Sequence, residues 1–255
     1  MISGEAPGAR ERIPPSESIH LGFNLHEDAL RVYDATDPHT CTQLSGAVVS
    51  GPRVGPVVID TRELTAVMGV RFRPGGAAPF LGVPADELTN TRVGLETFWG
   101  TAARGLREQL CIACTPKERF ARLEQGLLAR LRHRRDQHYA VSFALERFRG
   151  SHDTRTSVRE VARETGLSQR RFIQVFTREI GLTPKLFCRI GRFRHALERL
   201  RAAAEPNWAR LAADCGYYDQ SHLVRDFRSF SDLSPTEFLR LRSRCAVQNH
   251  ATVVG

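Results

Sequence analysis

Nowhere in the chain is there a run of about 18 apolar residues, and its start lacks the basic-then-apolar order of a secretory signal. A membrane-spanning or exported protein is therefore not expected, and a cytoplasmic one is. The six cysteines, at positions 41, 111, 114, 188, 215 and 245, lack the spacing of a disulfide framework. Cys111 and Cys114 make the only C-x-x-C, and no second cysteine or histidine pair stands at finger-like spacing. Because a closed zinc site normally takes four ligands, the pair reads as small apolar residues on a helix, and no metal is expected. His20, His26 and His39 share no ligand spacing either. There is no P-loop and no Ser/His/Asp order, so no cofactor and no enzyme activity are expected.

What is present is an uneven charge. The net charge is +9, but residues 1–100 carry 8 basic and 12 acidic side chains, residues 101–149 carry 11 and 5, and residues 150–255 carry 18 and 11. A basic C-terminal half beside an acidic N-terminal one points to a polyanion partner for the former; a well-solvated Arg-rich surface is the plainer reading.

The 255 residues suffice for two domains at about 150 residues each. Residues 1–18, rich in Pro, Gly and charge, read as a flexible leader. Ile19–Leu25, Leu30–Tyr33, Ala47–Ser50, Val54–Ile59 and Ala66–Arg73 are short, apolar and bounded by Gly, Pro, Asn or Asp, which predicts strands of a mainly antiparallel sheet. In Val70–Arg73 the alternation turns Val70 and Phe72 inward, and Arg71 and Arg73 outward. Leu95–Cys114 and Pro116–Arg132 predict helices, the second with Phe120, Leu123, Leu127, Leu128 and Leu131 at three- and four-residue spacing. A linker is expected over residues 130–136, so the first domain is placed at 19–132, the second at 133–242, and a flexible tail at 243–255. The fold class is α+β: a mainly antiparallel β domain with following helices, then an all-α domain.

The all-α part contains an internal repeat. Ser157 to Pro184 and Asn207 to Pro235 each read as a helix, a glycine turn, a second helix with two large apolar residues four apart, and a closing Leu-Ser/Thr-Pro. The first copy has Val161-Ala162, Gly166, Phe172, Phe176 and Leu182-Thr183-Pro184; the second has Leu211-Ala212, Gly216, Leu223, Phe227 and Leu233-Ser234-Pro235. Their offset is fifty at the turn and fifty-one from Phe172 onward, so one residue is inserted after the second glycine. Ser157-x-x-Glu160 and Ser234-x-x-Glu237 are capping boxes. Between the copies, Pro184 to Ala203 is an amphipathic connector of 20 residues, about 30 Å as a helix.

A helix-turn-helix lays the start of its second helix against base edges in the major groove. Projected at about 100° per residue, Phe172, Val175, Phe176 and Ile180 share a core face, and Arg170, Ile173, Gln174 and Thr177 lie opposite. In the second copy Leu223, Phe227 and Phe230 point inward; Ser221, Val224, Arg225 and Arg228 point outward, with Gln220 at the tip. Arginine can bind guanine O6 and N7, and glutamine adenine N6 and N7, which is what direct readout requires. A connector of about 30 Å would set the two helices into successive groove segments, whose repeat is about 34 Å.

Residues 140–241, and above all Gly216-Tyr217-Tyr218-Asp219-Gln220-Ser221-His222-Leu223 with Phe227 and Leu233-Ser234-Pro235, resemble the DNA-binding domain of the AraC/XylS family of bacterial transcription regulators. The resemblance implies base-contacting roles for Arg170, Ile173, Gln174, Gln220, Ser221, Val224 and Arg225. Asp232 departs from it, standing where the family has the glycine found at Gly181. Gly69 to Gly82, with Glu87-Leu88-Thr89 and Trp99-Gly100, resembles the poorly characterised N-terminal domain of one branch of that family, a domain taken as sensory or dimerising. Members of that branch carry further strand ahead of the segment matching Ile19–Leu25, where this chain has residues 1–18.

The expected partners are double-stranded DNA, RNA polymerase, a small-molecule effector and a second copy of the chain, with no membrane. Arg71 and Arg73 beside the glycine loop at 74–79 are the candidate contacts to an anionic effector. Two other readings stand beside this one: a DNA-linked or redox enzyme using Cys111 and Cys114, and a basic adaptor that binds an acidic protein.

Overall fold

The computed structural model describes residues 10–33, 40–60, 65–131, 137–150, 157–202 and 206–242. Most of the expected linker, the tail and the first nine residues of the expected leader lie outside these.

Among the described residues the N-terminal part holds two four-stranded sheets, all of whose pairings are antiparallel. One has the order β1-β6-β3-β4, from Arg10–Ile13, Val57–Asp60, Leu30–Tyr33 and Cys41–Leu44; the other has the order β7-β2-β5-β8, from Val67–Arg71, His20–Asn24, Ala47–Ser50 and Arg92–Gly94. Three strands were not expected. β1 is charged and β4 is largely exposed, so neither has an apolar face to read, and β8 is only three residues long. Residues 10–18 are therefore no loose leader: β1 pairs with β6, and Ser16 and Ser18 are buried.

The inner face of the second sheet, with Leu21, Phe23, Ala47, Val49 and Phe72, packs against α1 (Ala78–Leu81), α2 (Glu96–Trp99) and α3 (Thr101–Ile112). The single helix expected over Leu95–Cys114 is broken at Gly100, whose φ of 59° only a glycine adopts readily. α4 (Pro116–Leu128) begins as predicted, with the Thr115 hydroxyl capping the Glu118 N–H. Its expected apolar face is only partly covered. Leu123 is buried, whereas Phe120, Leu128 and Leu131 are exposed, as is Ile112 on α3.

The second part is all α-helix. α5 (Tyr139–Gly150), α6 (Val158–Glu164), α7 (Gln169–Ile180), α8 (Pro184–Ala202), α9 (Trp208–Asp214), α10 (Gln220–Ser231) and α11 (Pro235–Arg242) surround one continuous core. α8 runs through it with Phe187, Ile190, Phe193, Ala196, Leu197 and Leu200 buried. Phe187 meets Phe176 of the first unit edge-on at 5.6 Å, and Phe193 meets Phe227 and Phe230 of the second at 5.0 and 5.3 Å.

The two parts touch. The 3₁₀ turn Ala85–Leu88 packs on α7, Thr89 donates its hydroxyl to the Gly181 carbonyl, and Val54 joins the helical core. At the end of α7 Gly181 has a φ of 82°, and a Cβ there would lie 2.7 Å from the Ala85 carbonyl oxygen and 2.8 Å from Pro52. The matching end of α10 is Asp232, also left-handed at φ 57° but exposed. Glycine is thus required where the first unit meets the N-terminal part, and an aspartate serves where the second unit meets solvent.

Two substitutions measure that difference. Gly181→Ala should lower stability by more than about 1 kcal/mol, because both the backbone conformation and the close contact are lost. Asp232→Gly should raise it by up to about 1 kcal/mol. Denaturant unfolding of each variant checks the pair, and equal effects would show that the contact adds nothing.

Candidate nucleic-acid interface

Each reading helix starts at a side-chain cap. Ser168 accepts from the Arg171 N–H at 3.3 Å, and Asp219 accepts from the His222 N–H at 2.7 Å. Such caps satisfy amide groups that the first turn leaves free and fix where the helix begins. The bracing helices are set in the same way: the Ser157 hydroxyl caps α6, closed by Glu160 at 3.3 Å, and Asn207 caps α9. Gly166 and Gly216, both at φ 71°, turn the chain between the helices of each unit. The caps Ser168 and Asp219 are 51 positions apart while the glycines are 50 apart, so the insertion at Tyr217-Tyr218 lengthens the second turn by one residue.

On α7, Arg170 and Gln174 are exposed, Ile173 is half-buried, and Thr177 is half-buried with its hydroxyl enclosed and unpartnered. On α10, Gln220, Ser221, Arg225 and Arg228 are exposed, and Val224 is half-buried. The buried faces are the expected ones: Phe172, Val175, Phe176 and Ile180, and Leu223, Phe227 and Phe230. The enclosed hydroxyl makes Thr177 the weakest of the expected base contacts. Gln169, exposed at the tip of α7, was missed; it occupies the place of Gln220 once the 51-residue offset is applied.

Between the units the helices enclose a cleft of about 460 Å³, lined by Lys185, Arg189, Arg192, His222 and Arg225, with Asp226, Val158 and Cys188. Its basic side chains come mainly from the connector, whose charges the repeat did not single out. Arg189 is held by the buried Asp226 at 2.6 Å and lies over the Phe230 ring at 5.0 Å; Arg192 lies over Tyr217 at 5.4 Å. These contacts tie α8 to the second reading helix and leave Lys185 and Arg225 exposed at the rim. Burial raises the Cys188 thiol to about 11, so it contributes no charge here.

A second basic group lies at the junction of the two parts. Glu17 accepts from Arg194 of α8 at 2.9 and 3.0 Å and from Arg71 of β7 at 3.4 Å. Arg71 also donates to Ser18, while Arg73 is exposed and is not part of this cluster. His20, bonded to the Ser16 hydroxyl at 2.9 Å, is held at about 4 by burial, then by Arg71, Arg53 and Arg194, against the opposing pull of Glu17. Among the described residues no group of three or more His, Cys, Asp or Glu could hold a metal, and no helix is long and apolar enough to cross a membrane.

The depressed His20 value has a pH consequence. The folded state binds fewer protons than the unfolded state between the ordinary value near 6.5 and about 4, so stability falls as pH drops through that window and levels below it. Thermal unfolding of the wild type should therefore weaken more steeply between pH 6.5 and 4 than that of His20→Gln; parallel profiles would contradict the assignment.

Comparison with known proteins agrees with this geometry. Residues 161–241 match the helix-turn-helix domain family, and residues 1–94 match a domain of unknown function (DUF6597). No curated protein matches the chain. Among solved structures, ToxT from Vibrio cholerae is similar at a TM-score of 0.50 and 7% identity, over 92% of this chain and 95% of that one. The C-terminal domain of AraT, a response regulator from Geobacillus stearothermophilus, is 19% identical over 45% of this chain and 95% of that one, at a TM-score of 0.39. A probable AraC family transcriptional regulator from Rhodopseudomonas palustris is 27% identical over 41% and 97%, at 0.36. ToxT shows the shared fold of both parts. With an AraC-type helix-turn-helix domain matched over residues 161–241 and a separate N-terminal domain, the chain has the make-up of a DNA-binding transcription regulator.

Proposed function

We propose that the chain reads an asymmetric DNA site, with α7 and α10 in two successive major-groove segments. The observation that carries this reading is the seating of both units on α8. Its 19 residues span about 28 Å, close to the 34 Å groove repeat once the reading helices project from either end. Arg170, Gln174 and Gln169 supply readout from α7, and Gln220, Ser221, Arg225 and Arg228 from α10. Ile173 and Val224 are placed to touch thymine methyls. Thr177 contributes through its methyl group. Lys185 and Arg192 at the cleft serve the phosphate backbone between the segments, which positions the protein without reading sequence.

The N-terminal part acts as the sensory and pairing domain. It meets α7 at Gly181 and α8 at Arg194, so a change in it reaches the first reading helix directly. ToxT, which shares the fold, is described bound to an unsaturated fatty acid. Of the two arginines expected to hold an effector, Arg71 is the one at the junction. The exposed Phe120 and Leu128 of α4 offer an apolar surface for a second copy of the chain. RNA polymerase is the further partner implied, and the nucleoid the place of action. A redox reading gains no support: Cys111 donates to the Leu25 carbonyl and Cys114 to that of Ile112.

Duplex binding should weaken linearly in log salt. Arg170→Ala and Arg225→Ala should each cost about 1–3 kcal/mol and relax one base position, whereas Lys185→Ala should weaken all sequences alike. Binding titrations on matched and single-base-changed duplexes decide it, and a uniform loss from Arg225→Ala would remove its reading role. For pairing, Leu128→Glu should shift the protein toward monomer in sedimentation; an unchanged mass would leave that face without a partner copy.

A further inference from the structure

The second N-terminal sheet carries a polar row across all four strands. The register sets Arg71 beside His20, His20 beside Ser50, and Ser50 beside Arg92. Directly paired residues put their side chains on the same face, so these four stand together. The neighbouring row of Val70, Leu21, Val49 and Val93 faces the core. Arg53 joins the polar row through its bridge to Ser16, and Arg194 reaches it from α8 through Glu17. The guanidinium groups thus fall into two neighbouring pairs, Arg71 with Arg194 at Glu17 and Arg53 with Arg92. Among the described residues Glu17 is the carboxylate bonded to Arg71 and Arg194, with Glu198 acting on Arg71 from farther away.

Two of these groups are incomplete. Arg53 is only 8% exposed, yet its Nε and Nη1 have no acceptor, and Arg92 Nη1 is likewise enclosed and unpaired. What bonds they have are partial: Arg53 Nη2 to the Pro14 carbonyl at 3.4 Å and Arg92 Nε to the Ser50 hydroxyl at 2.8 Å. A buried N–H without an acceptor is costly, a buried like-charged pair more so, and such groups persist where something completes them. Among the described residues neither arginine has a carboxylate to do so.

We propose that Arg53 and Arg92, with Ser50 beside them, bind the oxyanion group of a small effector, a carboxylate or a phosphate. Guanidinium forks suit both groups. This deepens the sensory reading of the N-terminal domain and rests on it. Burial holds both Arg53 and Arg92 at about 10, well below the ordinary arginine value, with the charge of Arg92 adding to the effect at Arg53, and an arriving anion opposes both causes. Arg53 acts on His20 together with Arg71 and Arg194, so an anion held there also changes the field at the Glu17 cluster that ties β7 to α8. Effector chemistry is in this way coupled to the connector that holds the reading helices.

The test uses the full chain. Sodium phosphate and sodium acetate are each titrated against sodium chloride at equal ionic strength, following thermal unfolding and the His20 imidazole by NMR. His20 faces Arg71, Arg53, Arg194, Glu17 and the Ser16 hydroxyl, so it reports the field directly. The expected result is a saturable rise of a few degrees with phosphate or acetate, lost in Arg92→Gln, together with a His20 pKa that climbs above about 4. Which salt acts tells carboxylate from phosphate. Without anion, Arg92→Gln should unfold at or above the wild-type temperature, since an unpaired buried charge is gone. A response no larger than that to chloride, one shared by Arg92→Gln, or a static His20 overturns the site. So does a loss of anion-free stability in both Arg92→Gln and Arg53→Gln. Duplex binding by the same samples separates the two ideas: binding without an anion response leaves the regulator standing and removes the site, while the reverse removes the DNA reading.

Discussion

The packing of α8 against both units is the constraint on which the rest depends. Phe187 is seated on Phe176, and Phe193 on Phe227 and Phe230, so one rigid helix is common to two cores. Each buried aromatic contributes about 1.5–3 kcal/mol by burial alone, enough to hold both units to one axis. Two short helix-turn-helix units joined by a flexible segment would search for their grooves separately. Joined through α8, they present two reading faces at one spacing, and the Arg189–Asp226 pair and the Arg192–Tyr217 contact fix the second face against the connector.

The same architecture makes the units unequal. The first ends at Gly181, pressed against Ala85, Pro52 and Thr89, whereas the second ends at an exposed Asp232 and has a turn longer by one residue. The N-terminal part therefore leans on one reading helix and on the connector. On the proposed reading, a signal received there would change the first contact with DNA more than the second. The arginine row at the junction lies where such a signal would act, bound to α8 through Glu17.

Much of this was legible in the chain because the helical half is locally determined. Caps, glycine turns and apolar periodicity each lie within a few residues of the structure they specify, and so the two units, the connector and the exposed Arg170, Gln174, Gln220 and Arg225 could be read directly. The N-terminal half was less legible. β1, β4 and β8 lack an apolar alternation of their own and exist because a neighbour pairs with them. The arginines were hidden for the same reason: Arg71 meets Arg194 at Glu17, and Arg53 lies near Arg92, only through strand register and docking. Periodicity also overstated the coverage of α4, since a stripe of Phe120, Leu128 and Leu131 says nothing about whether a neighbour is present to cover it. Gln169 could have been found by applying the repeat offset consistently.

The central claim is that one chain reads two groove segments through two unequal units. Selection of bound duplexes from a random pool with the purified protein addresses it most directly. The account predicts two conserved blocks of different sequence whose centres lie about 10 base pairs apart, one helical turn. A single conserved block, or recovered duplexes with no shared motif, would contradict it.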